Sequence, residues 1–216
     1  MDGEPLPWIT GSTTFCGMRI RVHRGVFVPR PHTEPLARRA VELLPSGGVA
    51  VDLCTGTGAI AAFLRLHRSN AEVVATDIDA LAVANARANG VDARVGDLSG
   101  PLPPSLAGHV DVLTAVVPYV PTEELHLLPR DVRRYEPEQA LDGGPGGTRL
   151  LVRAAGVAAR WLRPGGGVLL EVGGEQAGAV HEVLADLGFE DIDVLRDEEG
   201  QDRAIEGRRA PTAPTT

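Results

Sequence analysis

Apolar and polar positions along the chain change period several times, and each change predicts an element. Between Phe15 and Val28 they alternate, with Met18, Ile20 and Val22 on one side and Arg19, Arg21 and His23 on the other. This alternation predicts a β-hairpin that turns at Arg24-Gly25 into Val26-Phe27-Val28. Thr33 then reads as the N-cap of a helix running to Leu44, with Leu36, Ala40 and Leu43 on one face. Short apolar runs follow at Val49–Leu53, Val73–Thr76, Ala93–Val95, Val110–Val117 and Val168–Val172. Helical repeats separate them at Ala59–His67, at Ala80–Ala88 behind an Asp79 cap, and at Leu150–Leu162. A last helix, Gln176–Leu187, precedes two strands near 191–196 and 202–207, read as an antiparallel end to the sheet. Strand alternating with helix predicts an α/β fold: a mostly parallel, twisted sheet with helices on both faces, preceded by the hairpin. Residues 13–209 read as one domain, with the hairpin at 13–28. Residues 1–12 read as a flexible N-terminus, 122–148 as a long loop with short helical pieces, and 210–216 as a disordered tail.

The first of these strand-to-helix joints carries chemistry. Asp52-Leu53-Cys54-Thr55-Gly56-Thr57-Gly58-Ala59-Ile60-Ala61 runs from a buried strand through a glycine turn into a helix. Glycines there permit a tight turn and let a ligand approach the backbone, while the helix start offers free N–H groups. Gly56, Gly58 and Ala61 satisfy a dinucleotide pattern, Gly-x-Gly-x-x-Ala. Asp52 with Gly56 and Gly58 also satisfies the acid-then-Gly-x-Gly pattern of S-adenosylmethionine sites, and the acid suits a ligand with a cationic amino group and a sulfonium. Asp77, 19 residues after Gly58 at the end of the second strand, is placed to accept hydrogen bonds from ribose hydroxyls. Gly96-Asp97-Leu98 ends the third strand, and an acid there suits the amino group of adenine.

Composition narrows the alternatives. The chain has 216 residues, 43% of them apolar, and a formal net charge of −8. It has no dense basic patch, which argues against a nucleic-acid binder that works through phosphate contacts. All 21 basic residues are arginine, so lysine Schiff-base chemistry and a lysine-dependent reductase site are excluded. Cys16 and Cys54 form no Cys-x-x-Cys pair, and the six histidines lack ligand spacing, so no metal is expected. No apolar run approaches the ~18 residues of a membrane span and the N-terminus carries no secretion signal, so the expected setting is cytoplasmic, without a membrane partner.

The order of these motifs resembles the HemK/PrmC family of class I S-adenosylmethionine-dependent methyltransferases, whose Rossmann-like enzymes methylate the glutamine side chain of peptide-chain release factors. The resemblance rests on Phe27-Val28-Pro29-Arg30-Pro31-His32-Thr33-Glu34, on the glycine turn, and on Ala75-Thr76-Asp77-Ile78-Asp79. It continues through Gly96-Asp97-Leu98, Pro118-Tyr119-Val120, Arg134-Tyr135-Glu136-Pro137, Ala140-Leu141-Asp142-Gly143-Gly144 and Pro164-Gly165-Gly166.

It implies a donor site of Asp52, Cys54, Thr55, Gly56, Thr57, Gly58, Asp77, Ile78, Gly96, Asp97, Leu98 and Val116. It implies a substrate wall of Phe27, Pro29, Arg30, Pro31, Glu34 and Val116, with Val117, Pro118 and Tyr119 at the reacting centre. The implied partner is a protein substrate such as a release factor; a small-molecule acceptor is the alternative, as is a protein that binds the donor without catalysis. The chain departs from the family at its Asn-Pro-Pro-Tyr signature, where it has Val116-Val117-Pro118-Tyr119. It also begins almost at the hairpin, where the family's release-factor enzymes have a helical substrate-docking domain.

Overall fold

A computed structural model describes residues 3–211. The chain opens with a short helix, α1 (Leu6–Thr10), started by prolines and closed by Gly11 in the left-handed region. Its Trp8 indole donates to the Val26 carbonyl at 2.9 Å and meets the edge of the Tyr135 ring. The stretch expected to be flexible over 1–12 thus contains a short helix at 6–10 whose Trp8 packs on the residues that follow the hairpin and on Tyr135. Of the tail expected over 210–216, residues 212–216 lie outside the described residues, as do residues 1 and 2.

The hairpin pairs β1 (Ser12–Phe15) with β2 (Met18–Arg21) and turns at Cys16-Gly17, both at positive φ. The expected turn at Arg24-Gly25 and third run at 26–28 are corrected. A two-residue turn with two left-handed residues matches the twist of antiparallel strands, and Cys16-Gly17 supplies it, so residues 22–28 leave the ladder. A 3₁₀ turn at Pro31–Thr33 leads into α2 (Glu34–Leu43). Thr33 does not cap this helix: its backbone is already helical, and its hydroxyl donates to Glu171 Oε2 at 2.6 Å.

The sheet then builds along the chain through β3 (Val49–Leu53), α3 (Ala59–His67), β4 (Glu72–Asp77), α4 (Ala80–Ala88), β5 (Asp92–Val95) and β6 (Val110–Ala115). Residues 122–148 hold three 3₁₀ turns and one short helix, α5 (Arg130–Tyr135). Then come α6 (Arg149–Trp161), β7 (Leu162–Glu171), α7 (Gln176–Asp186), β8 (Phe189–Arg196) and β9 (Asp202–Arg209). The strand order is β5-β4-β3-β6-β7-β9-β8, parallel except for β9, which lies antiparallel between β7 and β8.

Each central strand feeds two cores. Val51, Leu53, Leu113 and Leu170 face the core shared with α6 and α7, whereas Ala50, Val112 and Leu169 face that of α2, α3 and the hairpin. Burial on both faces is why these strands read as continuous apolar runs rather than alternating ones. The chain order reverses direction between β3 and β6, and the loops leaving their carboxyl ends open a crevice there. Among the described residues, no helix is long and apolar enough to cross a membrane.

Candidate active site

That crevice is a cavity of about 920 Å³ above the carboxyl ends of the central strands. At its floor the glycine turn is held from two sides. Asp52, 1% exposed, accepts a hydrogen bond from the Thr55 hydroxyl on one oxygen and from the Thr114 hydroxyl of β6 on the other, both at 2.6 Å. Burial pushes its pKa up to about 6, against the pull of the two threonine hydroxyls. Asp77, at the end of β4, accepts from the Gly56 N–H at 2.8 Å and from the Asp79 N–H at 2.9 Å. Burial raises its pKa as well, opposed by those backbone donors.

The two glycines have different jobs. A Cβ on Gly58 would press on Ala86 and Val91, so Gly58 lets α4 and the segment behind it approach. A Cβ on Gly56, at φ +54°, would meet nothing within 4 Å, and Gly56 lines the cavity. Gly56 therefore leaves open space beside the turn, while its own N–H is held by Asp77. Cys54 also lines the cavity, and burial pushes its thiol well above the usual range, so it is not an ionised nucleophile.

One rim is formed by Ile78, Leu98 and the exposed pair Asp97–Arg153, joined at 2.6 Å. Facing it, Val116, Val117, Pro118 and Tyr119 leave β6. This segment is clamped: Val120 N–H donates to Leu141 O, Gly143 N–H donates to Val120 O, and the Gln176 amide donates to Tyr119 O at 2.7 Å. The Tyr119 hydroxyl donates to Glu171 at 3.1 Å, and burial, with Glu171 beside it, holds the phenol above its usual range. Gly147 sits against this clamp at φ +69°, and any Cβ there would overlap the Tyr119 carbonyl oxygen and the Gln176 amide. Gly147→Ala is expected to destabilise the fold by about 1–3 kcal/mol and to lower turnover further, because Tyr119 shifts. Urea melts beside single-turnover rates check this; unchanged stability would show that the clamp yields easily.

The third wall is the segment after the hairpin. Arg30 Nη2 donates to both oxygens of Glu136, at 2.8 and 2.6 Å, while its guanidinium lies 4.7 Å over the Phe27 ring. The Pro-Arg-Pro and Tyr-Glu-Pro segments, 106 residues apart, are thus pinned together at the cavity. Of the residues assigned from the sequence to the donor site, the substrate wall and the reacting centre, Pro31, Glu34, Gly58 and Gly96 do not line the cavity, and the others do. Glu34 instead accepts from the Cys16 N–H at 2.9 Å and pairs with Arg38, which ties the hairpin turn to α2. Thr114, Glu171, Gln176 and Arg153 went unread. Glu171 had a signal: a carboxylate inside the apolar run Val168–Val172, where only a partnered acid is tolerated.

The chain aligns with proteins named release factor glutamine methyltransferase. That from Mycolicibacterium smegmatis is 37% identical over 212 residues, covering 95% of this chain and 75% of that protein. That from Moorella thermoacetica is 42% identical over 215 residues, covering 94% and 74%. The chain belongs to the release factor glutamine methyltransferase family. A family model described as methyltransferase small domain matches residues 17–98. Among solved structures, a release-factor-specific protein-(glutamine-N5) methyltransferase from Alicyclobacillus acidocaldarius is 27% identical, with a TM-score of 0.53 over 85% of this chain and 95% of that one. A methyltransferase from Pyrococcus furiosus shares the fold, with a TM-score of 0.64 over 91% of each chain at 21% identity. As a member of this family, the chain is a methyltransferase with S-adenosylmethionine as its methyl donor. The residues present fit the donor: open space at Gly56, carboxylates at the ends of β4 and β5, and apolar walls at Ile78 and Leu98.

Proposed function

We propose that this chain transfers a methyl group from S-adenosylmethionine to the side-chain amide nitrogen of a glutamine in a protein of the release-factor type. The observation that carries the reading is the convergence on one cavity of the glycine turn, the Pro-Arg-Pro box and the Val116–Tyr119 segment. In this reading Asp77, with Ile78, holds the ribose and Asp97, with Leu98, the adenine. Asp52 and the turn from Cys54 to Gly58 hold the methionine end. Phe27, Pro29 and Arg30 wall the acceptor, and Val116 to Tyr119 orient it.

S-adenosylmethionine supplies an electrophilic methyl group on a sulfonium. The task left to the protein is to present a weak nucleophile, since an amide lone pair is delocalised into its carbonyl. Holding that nitrogen in line and offering acceptors to its N–H groups both lower the barrier. In this reading the Val117 carbonyl, past Ala115 where the pairing of β6 ends, is one of these acceptors. Val116 itself has no side-chain acceptor. Val116→Asn is therefore expected to raise kcat/KM on a glutamine substrate several-fold, read as S-adenosylhomocysteine release. A fall would show that residue 116 faces something other than the amide.

The deciding experiment mixes the purified protein with S-adenosylmethionine and a release factor carrying its Gly-Gly-Gln loop. Peptide mapping by mass spectrometry then locates the product. Methyl on the loop glutamine supports the reading. The apolar pair Val116-Val117 favours one competing reading, a less polar small-molecule acceptor. Donor binding with no glutamine product, and turnover in a screen of small acceptors, would replace the first reading by the second.

A further inference from the structure

Among the described residues, His32 is the one that lines the cavity and has a buried side-chain polar atom without a partner. It lies in the 3₁₀ turn Pro31–Thr33 and lines the cavity. Its Nε2 is enclosed without a hydrogen bond, yet Glu171 Oε1 is only 3.4 Å away. Glu171 is itself buried and already accepts from the Thr33 hydroxyl at 2.6 Å and the Tyr119 hydroxyl at 3.1 Å. A slight turn of the imidazole would let Nε2–H donate to that carboxylate. The ring would then be fixed in one tautomer, with the Nδ1 lone pair left for the cavity. The same carboxylate also fixes Tyr119, three residues from Val116, so the imidazole and the acceptor-poor segment share one anchor.

We infer that His32 Nδ1 supplies the hydrogen-bond acceptor for the substrate amide N–H that a valine at 116 cannot offer, with Glu171 as the positioning residue behind it. This assignment rests on the glutamine reading above. As the nitrogen lone pair forms the N–C bond, the C–S bond breaks and its electron pair stays on sulfur. The amide N–H proton passes to Nδ1 and from there to solvent, and Glu171 offsets the charge on the ring while it is held. This is the division of labour of a histidine backed by a buried carboxylate.

The test compares three variants with the wild-type protein on the release-factor substrate, with donor affinity read by calorimetry. His32→Leu is expected to lower kcat tenfold or more and leave donor affinity unchanged. His32→Asn, whose carbonyl can stand near the Nδ1 position, is expected to keep more activity than His32→Leu. Adding Val116→Asn to His32→Leu is expected to recover activity by restoring an acceptor from the other side. Independently of turnover, ¹⁵N resonances of the labelled ring should report the Nε2–H tautomer. The assignment is overturned if His32→Leu stays within threefold of wild type, if donor affinity falls with kcat, or if Nδ1 carries the proton. No product from the wild-type protein would overturn the glutamine reading and this assignment with it. Product from the wild type that is indifferent to residue 32 would overturn the assignment alone.

Discussion

Replacing Arg30 by methionine is expected to destabilise the protein by about 3 kcal/mol at pH 7.5, the low end of what breaking a buried ion pair costs. The low end applies because the Arg30 side chain is 28% exposed, while that of Glu136 is only 2% exposed. Methionine keeps the apolar stem but leaves the Glu136 carboxylate without a counter-charge. Burial raises the Glu136 pKa even with Arg30 present, and removing Arg30 removes the largest opposing influence. The sign follows. An acid whose folded pKa lies above its unfolded value is protonated first in the folded state, so the variant's deficit is largest at neutral pH. It shrinks as pH falls and Glu136 takes up its proton. Urea melts of the wild type and the variant at pH 7.5 and pH 5 test this. A deficit of the same size at both pH values, or no recovery in Arg30→Met/Glu136→Leu, would sink the argument. Turnover is expected to fall as well, because Arg30, Phe27 and Val132 of α5 wall the same cavity.

The Arg30–Glu136 pair also marks where sequence reading stops. Local signals placed most elements well: Asp79 caps α4 as expected, its carboxylate accepting from the Leu81 N–H, and α3 spans Ala59–His67. These features depend on neighbours a few residues apart. The hairpin turn was misplaced because Arg24-Gly25 and Cys16-Gly17 both end in glycine, and propensity does not say which pair takes two left-handed residues. Thr33 looks like an N-cap from its neighbours alone; its hydroxyl is claimed by Glu171, 138 residues later, which no local pattern encodes.

That Asp52, Gly56 and Asp77 meet at one cavity was legible for the same reason the elements were. Asp52, Gly56 and Asp77 sit at fixed distances from strand ends, and the strands bring them together. The wall built from the Pro-Arg-Pro box was less so. Glu34 belongs to the box that signals the family, yet its carboxylate secures the Cys16 amide of the hairpin turn. A sequence motif records that a residue is wanted there, without separating what touches substrate from what holds the wall upright.

Asp52 turns that distinction into a measurement. Its folded pKa of about 6 lies above the 3.8 of an ordinary aspartate. The folded state therefore binds this proton more tightly than the unfolded chain does. Stability contributed at this site is greatest below pH 4, declines as pH rises through about 6, and stays low above it. At 1.36 kcal/mol per unit, the ionised carboxylate costs the neutral protein about 3 kcal/mol. Asparagine resembles the protonated acid, so Asp52→Asn is expected to stabilise the protein at pH 7.5 by up to about 3 kcal/mol. For a chain of this size that raises Tm by up to roughly 6–12 °C, and it leaves stability near pH 4 unchanged. A buried charge that weakens the fold is the pattern of a functional acid, and a cationic donor is what a carboxylate at the glycine turn would serve. Calorimetry should then show donor affinity of the wild type rising with pH through about 6. The variant should bind tenfold or more weakly at pH 7.5, with no such rise. A variant less stable at pH 7.5 would mean that the threonine bonds of the ionised acid outweigh its burial. A stabilised variant with unchanged donor affinity would leave Asp52 as a brace of the turn and shift the recognition of the cationic end to the backbone around Gly56.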